Sequence, residues 1–358
     1  MKMERPELVF PQRLAQARRM RGLSLRQLSE ATGNRVSHNA LNRYEKGVMM
    51  PGSKVLIAVA EALRQSPEFF FRPFGIELKG IKFRKMSRLA GKEQVAIREQ
   101  ALDYFERYLE IEQILAIAAA FENPLETFKI KSCEDVEIAA EKLRSAWELG
   151  EAPLASVVEI VEARGIKIFE IDAPESFSGF SGHADGYPIV VSAKWMNKDL
   201  PRKRFTVLHE VAHLLLRLLQ SIADKSKEEE KFCHRFAAAM LIPRNVFRAE
   251  LGGFRRHLRL EELKGLKARY GISIAAIVQR AADLEMISPA LLKGFYIKRN
   301  TSGWHKNEPG KYEGRETATR FEQLVLRAAA EETISLSKAA ALLNQPLPTV
   351  RAKLDGLA

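Results

Sequence analysis

The sequence predicts a mainly α chain with one small β-sheet, an α+β class. Three observations predict it. Apolar residues recur at helical spacing through most of the length, punctuated by Ser caps and Gly stops. The period drops to two only in the middle, around Ile166, Ile168 and Ile171 and again at Tyr187–Ser192. Helical spacing then resumes at Arg202 and recurs from about Phe321 to Leu357. At 358 residues, 46% hydrophobic and 28% charged, the chain has a globular balance and the length of about two domains of roughly 150 residues each. That balance excludes a collagen-like fibre and disorder throughout.

The same composition narrows the setting. Cys133 and Cys233 are far apart in sequence and form no CxxC knuckle, so neither a disulfide framework nor a cysteine-metal ribbon is expected. The opening MKMERPELVF has no continuous apolar run of the signal-peptide kind, and stretches such as Ile114–Phe121 are far short of a span. A cytoplasmic protein with no membrane partner is expected. Lys and Arg number 57 against 45 Asp and Glu, a net charge of +12. In the first 60 residues there are 11 Lys or Arg and only four acids, the footprint of a polyanion-binding module.

Residues 8–72 read as a run of short helices. Pro11 stands at a plausible first turn, with Leu14 and Ala17 inward and Gly22 as the stop. Ser24 caps a second helix carrying Leu25, Leu28 and Ala31, which Gly33 ends. A third runs from Ser37 with Leu41 and Tyr44 inward and Gly47 at its end, and Val55–Leu63 makes a fourth. Leu25, Leu28, Ala31 and Gly33, then Val36 to Gly47 with the closing Tyr44-Glu45-Lys46-Gly47 and Pro51, resemble the XRE (Cro-type) helix-turn-helix. Asn34-Arg35 are two extra residues in the turn before the third helix. The resemblance implies binding to double-stranded DNA as a homodimer. Ser37, His38, Asn39, Asn42 and Arg43 are the polar positions expected at base edges, and Gln27, with Arg26, at phosphates.

Residues 73–122 read as a linker with a basic run, Lys79–Arg88, followed by a long helix from about Lys92 to Phe121. Its apolar side is Ile97, Ala101, Phe105, Tyr108, Leu109 and Ile114, suited to a spacer or a dimer-forming helix. Glu134–Leu149 and Ala152–Arg164 read as two further helices, Gly179–Gly182 as a turn, and Tyr187–Ser192 as an edge strand on which an extended chain can pair.

The strongest chemical signal is His209-Glu210-Val211-Ala212-His213. On a helix the two histidines lie one turn apart on one face, so both imidazoles reach one metal ion, and Glu210 beside them can take a proton from water. Chance would place roughly 0.014 such HExxH matches in a chain of this composition. A catalytic zinc needs a third protein ligand and an open position. Glu230 and His234, one turn apart on the next helical stretch, each offer the third donor.

This motif, with Phe236-Ala237-Ala238 and Leu241 and Pro243 downstream and Arg202, Arg204-Phe205-Thr206 upstream, resembles the ImmA/IrrE metallopeptidases. Gly179-Phe180-Ser181-Gly182 and Asp185 to Val191 resemble that family's strand pair, and Gly303-Trp304 with Glu308 to Gly310 recur in its long fused members. The resemblance implies His209, His213 and Glu230 as metal ligands and Glu210 as catalytic base, with Glu228 and Glu229 as solvated neighbours. The family's usual Asn falls at His234, which is either a neighbouring donor or a fourth ligand that closes the site. Tyr187 and His183 are possible oxyanion donors. The cofactor is Zn2+, with Mn2+ compatible with the same ligands.

The chain therefore divides into a helix-turn-helix domain (8–72), a linker and long helix (73–122), a zincin-like metallopeptidase domain (123–250) and a helical C-terminal region (251–358). The tail from Phe321 is expected to cap the peptidase. Its Ile334–Leu343 and Pro348–Arg351 also fit a second helix-turn-helix loosely. The expected function is a DNA-binding regulator fused to a zinc endopeptidase that cleaves a repressor or antitoxin, or its own chain. The alternative is a non-catalytic repressor or antitoxin whose peptidase-like domain senses or binds a partner.

Overall fold

The structure is a computed structural model that describes residues 6–73, 75–81, 89–117 and 121–356. Most of the basic run expected as a linker, residues 82–88, lies outside the described residues. The fold is mainly α with a small sheet, and it divides into two compact units. The first holds residues 1–119, 183–186 and 319–358, and the second residues 120–182 and 187–318. No described helix is long and apolar enough to cross a membrane.

In the first unit, α1 (Pro6–Met20), α2 (Leu25–Ala31), α3 (His38–Glu45) and α4 (Ser53–Leu63) form the head. Pro11 lies inside α1 rather than at its first turn. Ser24 and Gln27 cap α2 reciprocally, and the Ser37 hydroxyl accepts the N–H of Ala40 to start α3. The turn before α3 bends through consecutive left-handed positions, Gly33 at φ 67° and Asn34, the first of the two extra residues, at φ 57°. Phe10, Leu14, Leu28, Leu41, Val59 and Leu63 form the head's core. Arg18 clamps α3 from α1, its guanidinium donating to both oxygens of Glu45 at 2.6 and 2.8 Å.

The long helix, α5 (Gly91–Ile114), is built into this unit. Ile97, Ala101, Phe105, Tyr108 and Leu109 are buried as expected, whereas Ile114 is 37% exposed because the helix ends there. Arg13 of α1, fully buried, donates to Glu106 of α5 at 2.8 Å, and Arg72 donates to Asp103 and Glu106. The C-terminal helices α15 (Arg320–Ala330), α16 (Leu336–Leu343) and α17 (Leu347–Asp355) also belong to this unit, contrary to the expected cap on the peptidase. Phe321 stacks edge-on against Tyr104 and Tyr108 of α5, and Arg107 donates to the carbonyl of Leu342. The reason is chemical: α5 presents aromatic rings and a buried guanidinium that need partners, and the tail supplies both.

The second unit is built on α6 (Cys133–Ala146), α7 (Val157–Ala163), α8 (Leu200–Leu215) and α10 (Ser226–Leu241), with α10 packed on both α8 and α6. Its sheet is β4 (Gly179–Ala184), β5 (Tyr187–Ala193) and β3 (Lys167–Ile171), in that order. Two expectations are corrected here. Residues 179–182 are strand, not turn; the turn is Asp185-Gly186, whose φ values of 48° and 87° suit a tight hairpin. And Tyr187–Ser192 is not an edge, because β5 is flanked by β4 and pairs in parallel with β3 from Lys167↔Ile189 to Ile171↔Ala193. An alternating sequence marks a strand but not its neighbours. Gly179 is required by closeness: a Cβ there would stand 2.6 Å from the Val191 carbonyl oxygen.

α8 is held at its N-terminal half by buried charge. Arg204, fully buried, pairs with Glu316 and donates to the carbonyl of Leu154 at 2.9 Å and to the Tyr312 hydroxyl at 2.9 Å. Glu316 in turn accepts the backbone N–H groups of Val157 and Val158 at 3.0 and 2.9 Å, capping α7. Its neighbour Lys203 donates to Glu170 and Asn197, and burial lowers its pKa to about 8 against the attraction of Glu316 and Glu162. α12 (Leu260–Tyr270), α13 (Ile274–Asp283) and α14 (Pro289–Thr301) follow, and Arg280 of α13 pairs with Glu137 of α6 at 3.0 Å, both fully buried. Glu316→Ala leaves the buried Arg204 uncompensated and should destabilise the fold by about 3–5 kcal/mol in urea unfolding. Glu331→Ala, at the exposed pair with Arg327, should cost less than about 1 kcal/mol in the same assay.

Candidate metal centre and nucleic-acid interface

α8 carries His209, Glu210 and His213 on its buried side because its other positions there, Val207, Leu208, Val211 and Ala212, are core. His209 and His213 turn their Nε2 atoms toward each other at 3.2 Å. Glu230 of α10 completes the group: its carboxylate lies 3.1 Å from Nε2 of His209 and 3.3 Å from Nε2 of His213. The three residues thus form a triangle in which each Nε2 has the other Nε2 and one Glu230 oxygen, Oε2 for His209 and Oε1 for His213, at 3.1–3.3 Å. A tetrahedral ion with bonds of about 2.0–2.1 Å needs ligand atoms roughly 3.3–3.4 Å apart, so the residues fit a zinc-sized cation. His234 joins the same neighbourhood: ligand atoms of His209, Glu230 and His234 lie within 4.8 Å of one another. Its ring packs against those of His209, at 4.5 Å, and Phe205, at 5.8 Å.

The structure adds residues around this triangle that spacing alone did not single out. Glu229, expected to be a solvated neighbour, is buried, and its carboxylate accepts a hydrogen bond from Nδ1 of His213 at 3.1 Å. Cys233, one turn along α10, lies 3.5 Å from the same nitrogen. A helix rotates about 100° per residue, so Glu229 and Cys233 face His213 from one side while Glu230 and His234 look into the site. The E-x-x-x-C spacing was the available signal. Fixing the Nδ1 proton on the Glu229 side leaves Nε2 of His213 as the donor to a metal. Burial opposes charge on His213, but its hydrogen bonds with Cys233, Glu229 and Glu230 raise the pKa to about 11.

Glu210 is buried and accepts a hydrogen bond from the Ser181 hydroxyl at 2.8 Å, which aims its carboxylate from β4. Tyr187 is half-buried with its ring over the Lys167 ammonium at 4.5 Å. His183 falls in the first unit, in register opposite Lys79. A cleft of about 810 Å³ opens beside the triangle, with Glu230, His234 and Phe205 on one wall and Tyr296, Trp304 and Glu308 on the other.

In the head, His38, Asn39 and Arg43 are exposed along α3, and Asn42 is half-buried. Ser37 is engaged as the cap of α3. Gln27 is exposed, with its side-chain oxygen accepting from the backbone of Ser24 at 2.9 Å and from Lys92 at 3.2 Å. An exposed polar helix face with a clamped reverse side is the geometry that enters a major groove.

Comparison with known families agrees with both regions. Residues 161–282 match the model of the IrrE N-terminal-like domain, and residues 14–70 match that of the helix-turn-helix. No curated protein and no solved structure gives a match. Metal content by elemental analysis should fall with Glu230→Ala and with His213→Ala. Glu229→Ala should weaken metal affinity about 10–100-fold, as expected when a ligand loses its orienting partner.

Proposed function

From a chain that carries a helix-turn-helix at 14–70 and an IrrE N-terminal-like, metallopeptidase-like domain at 161–282, we propose a DNA-binding regulator whose second domain is a zinc-dependent endopeptidase. The observation that carries this reading is the triangle of His209, His213 and Glu230 with the buried carboxylate of Glu210 beside it. His209, His213 and Glu230 would hold the ion. When bound, zinc supplies Lewis acidity toward a peptide carbonyl and makes a coordinated water acidic enough to attack near neutral pH; Mn2+ suits the same donors. Glu210 receives the proton of the attacking water and passes it to the leaving amine. Ser181 keeps the Glu210 carboxylate turned for that transfer, and Glu229 keeps His213 in the ligating tautomer. Core residues of α8 exclude bulk water from this side.

The substrate in this reading is a protein partner, a repressor or antitoxin, or another part of the chain itself. The head brings the peptidase to a promoter, or cleavage switches what the head does there. Homodimers fit two operator half-sites. The cytoplasm is the compartment in which such a regulator meets DNA.

A second reading is favoured by one observation. His234 lies among the metal donors, and as a fourth ligand it would close the shell and leave a non-catalytic repressor or antitoxin that senses or binds a partner. The two separate cleanly. Glu210→Gln should retain about one metal per chain yet lose cleavage of a partner repressor by at least about 100-fold. His234→Ala should keep both metal and cleavage; loss of metal in His234→Ala, together with no cleavage by the parent protein, would establish the closed site instead.

The head makes its own prediction. Arg43→Ala should relax sequence preference at one operator position by about 1–3 kcal/mol in binding-site selection. Lys46→Ala should weaken binding evenly across sequences and reduce the salt slope of log K by about 1.

A further inference from the structure

The cleft beside the metal triangle has a lopsided charge economy. Four acids line it, and each is already engaged. Asp199 caps α8 by accepting the N–H of Arg202 at 3.3 Å. Asp283 accepts from Gln279 at 2.9 Å. Glu308 accepts Lys267 at 2.9 Å and the N–H groups of Ile274 and Ala275 at 2.9 and 3.0 Å. Glu230 faces the two histidines.

The cations of the same cleft are in the opposite condition. Lys227 and Lys231, on the α10 turns that carry Glu230 and His234, are exposed and make no ion pair among the described residues. Arg202 lies over the Trp195 ring at 4.5 Å, without a carboxylate partner among the described residues. Lys306 is exposed across the cleft. Arg299 carries the most pointed sign: its Nε atom is buried and has no hydrogen-bond partner among the described residues. A buried donor without an acceptor is costly, and a ligand acceptor that reached it would offset that cost. The rings of Phe205, Tyr296 and Trp304 line the same cleft, apolar surface suited to a side chain.

Resting on the peptidase reading, we propose that this cleft is the substrate-recognition groove and that it selects an acidic polypeptide segment carrying an aromatic or aliphatic residue among its carboxylates. The carboxylates meet Arg202, Lys227, Lys231, Arg299 and Lys306, and the apolar residue lies on the three rings. The observations favour polypeptide over nucleic acid because the groove is lined by Glu230 and His234, where the scissile bond must arrive, and by the rings of Phe205, Tyr296 and Trp304 as well as by cations.

The test measures binding to full-length Glu210→Gln protein, which separates recognition from turnover. A fluorescein-labelled peptide rich in Glu and Asp with one Phe is titrated by anisotropy beside a counterpart with Gln and Asn at the acidic positions, both in saturating duplex DNA to occupy the head. The acidic peptide should bind at least about tenfold more tightly, with the advantage shrinking as salt rises. Replacing Lys227, Lys231 and Arg299 together by Gln should remove that advantage while metal content and thermal unfolding stay unchanged. Equal affinity for the two peptides, or an advantage that survives the triple replacement, would overturn the proposal. Displacement of the peptide by further duplex DNA in the parent protein but not in the triple variant would assign the groove to nucleic acid instead. Failure of the parent protein, metal-loaded, to cleave the acidic peptide while selective binding persists would refute the peptidase reading and leave an acidic-segment binding groove.

Discussion

Charges taken out of water must be met by opposite charges or by hydrogen bonds, and α8 is where the second unit depends on this. Arg204 and Lys203 are buried in its first half, His209 and Glu210 along the rest, with His213 half-buried beside them. Each obligation fixes a different neighbour. Arg204 fixes Glu316, which fixes the start of α7 through Val157 and Val158. Glu210 fixes β4 through Ser181, and His213 fixes α10 through Glu229. One helix thereby sets the position of the sheet and of the helix that brings Glu230.

α10 converts that placement into chemistry by using its own pitch. Glu229 and Cys233 on one side, Glu230 and His234 on the next, make two tiers from four residues. The buried tier orients an imidazole; the half-exposed tier borders the cleft. The buried pair of Arg280 with Glu137, and Arg235 with the same carboxylate at 2.8 Å, tie α13 and α10 to α6 and hold those tiers still. Candidate ligand atoms spaced at 3.1–3.3 Å tolerate little motion, and the supports of this group are ion pairs and core rather than loops.

The head follows the same rule on a smaller scale. Arg18 and Glu45 hold α3 against α1, and Arg13, Arg72, Asp103 and Glu106 weld α1 to α5. The polar face of α3 stays exposed because its apolar residues, Leu41 and Tyr44, are spent on the core. The C-terminal helices add to this unit through Arg107, Phe321 and Lys338, the last paired with Glu110.

Much of this was legible in the chain itself. Helical periodicity, Ser24 and Ser37 as caps, and the i, i+4 pair of His209 and His213 are local properties, set by backbone pitch and capping chemistry, and the structure keeps them. Local pattern also marked β3 and β5 as strands. It could not order them, because strand order is a relation between distant segments, and so β5 is interior where an edge was expected. Nor could it tell a solvated Glu229 from a buried one, or send the final helices to α5: a run of three glutamates and an apolar stripe look alike whichever surface receives them. Sequence determined which residues are candidates for the chemistry and the pitch that pairs them; tertiary structure decided which faces are buried, because burial is fixed only when remote segments meet and their charges must be matched.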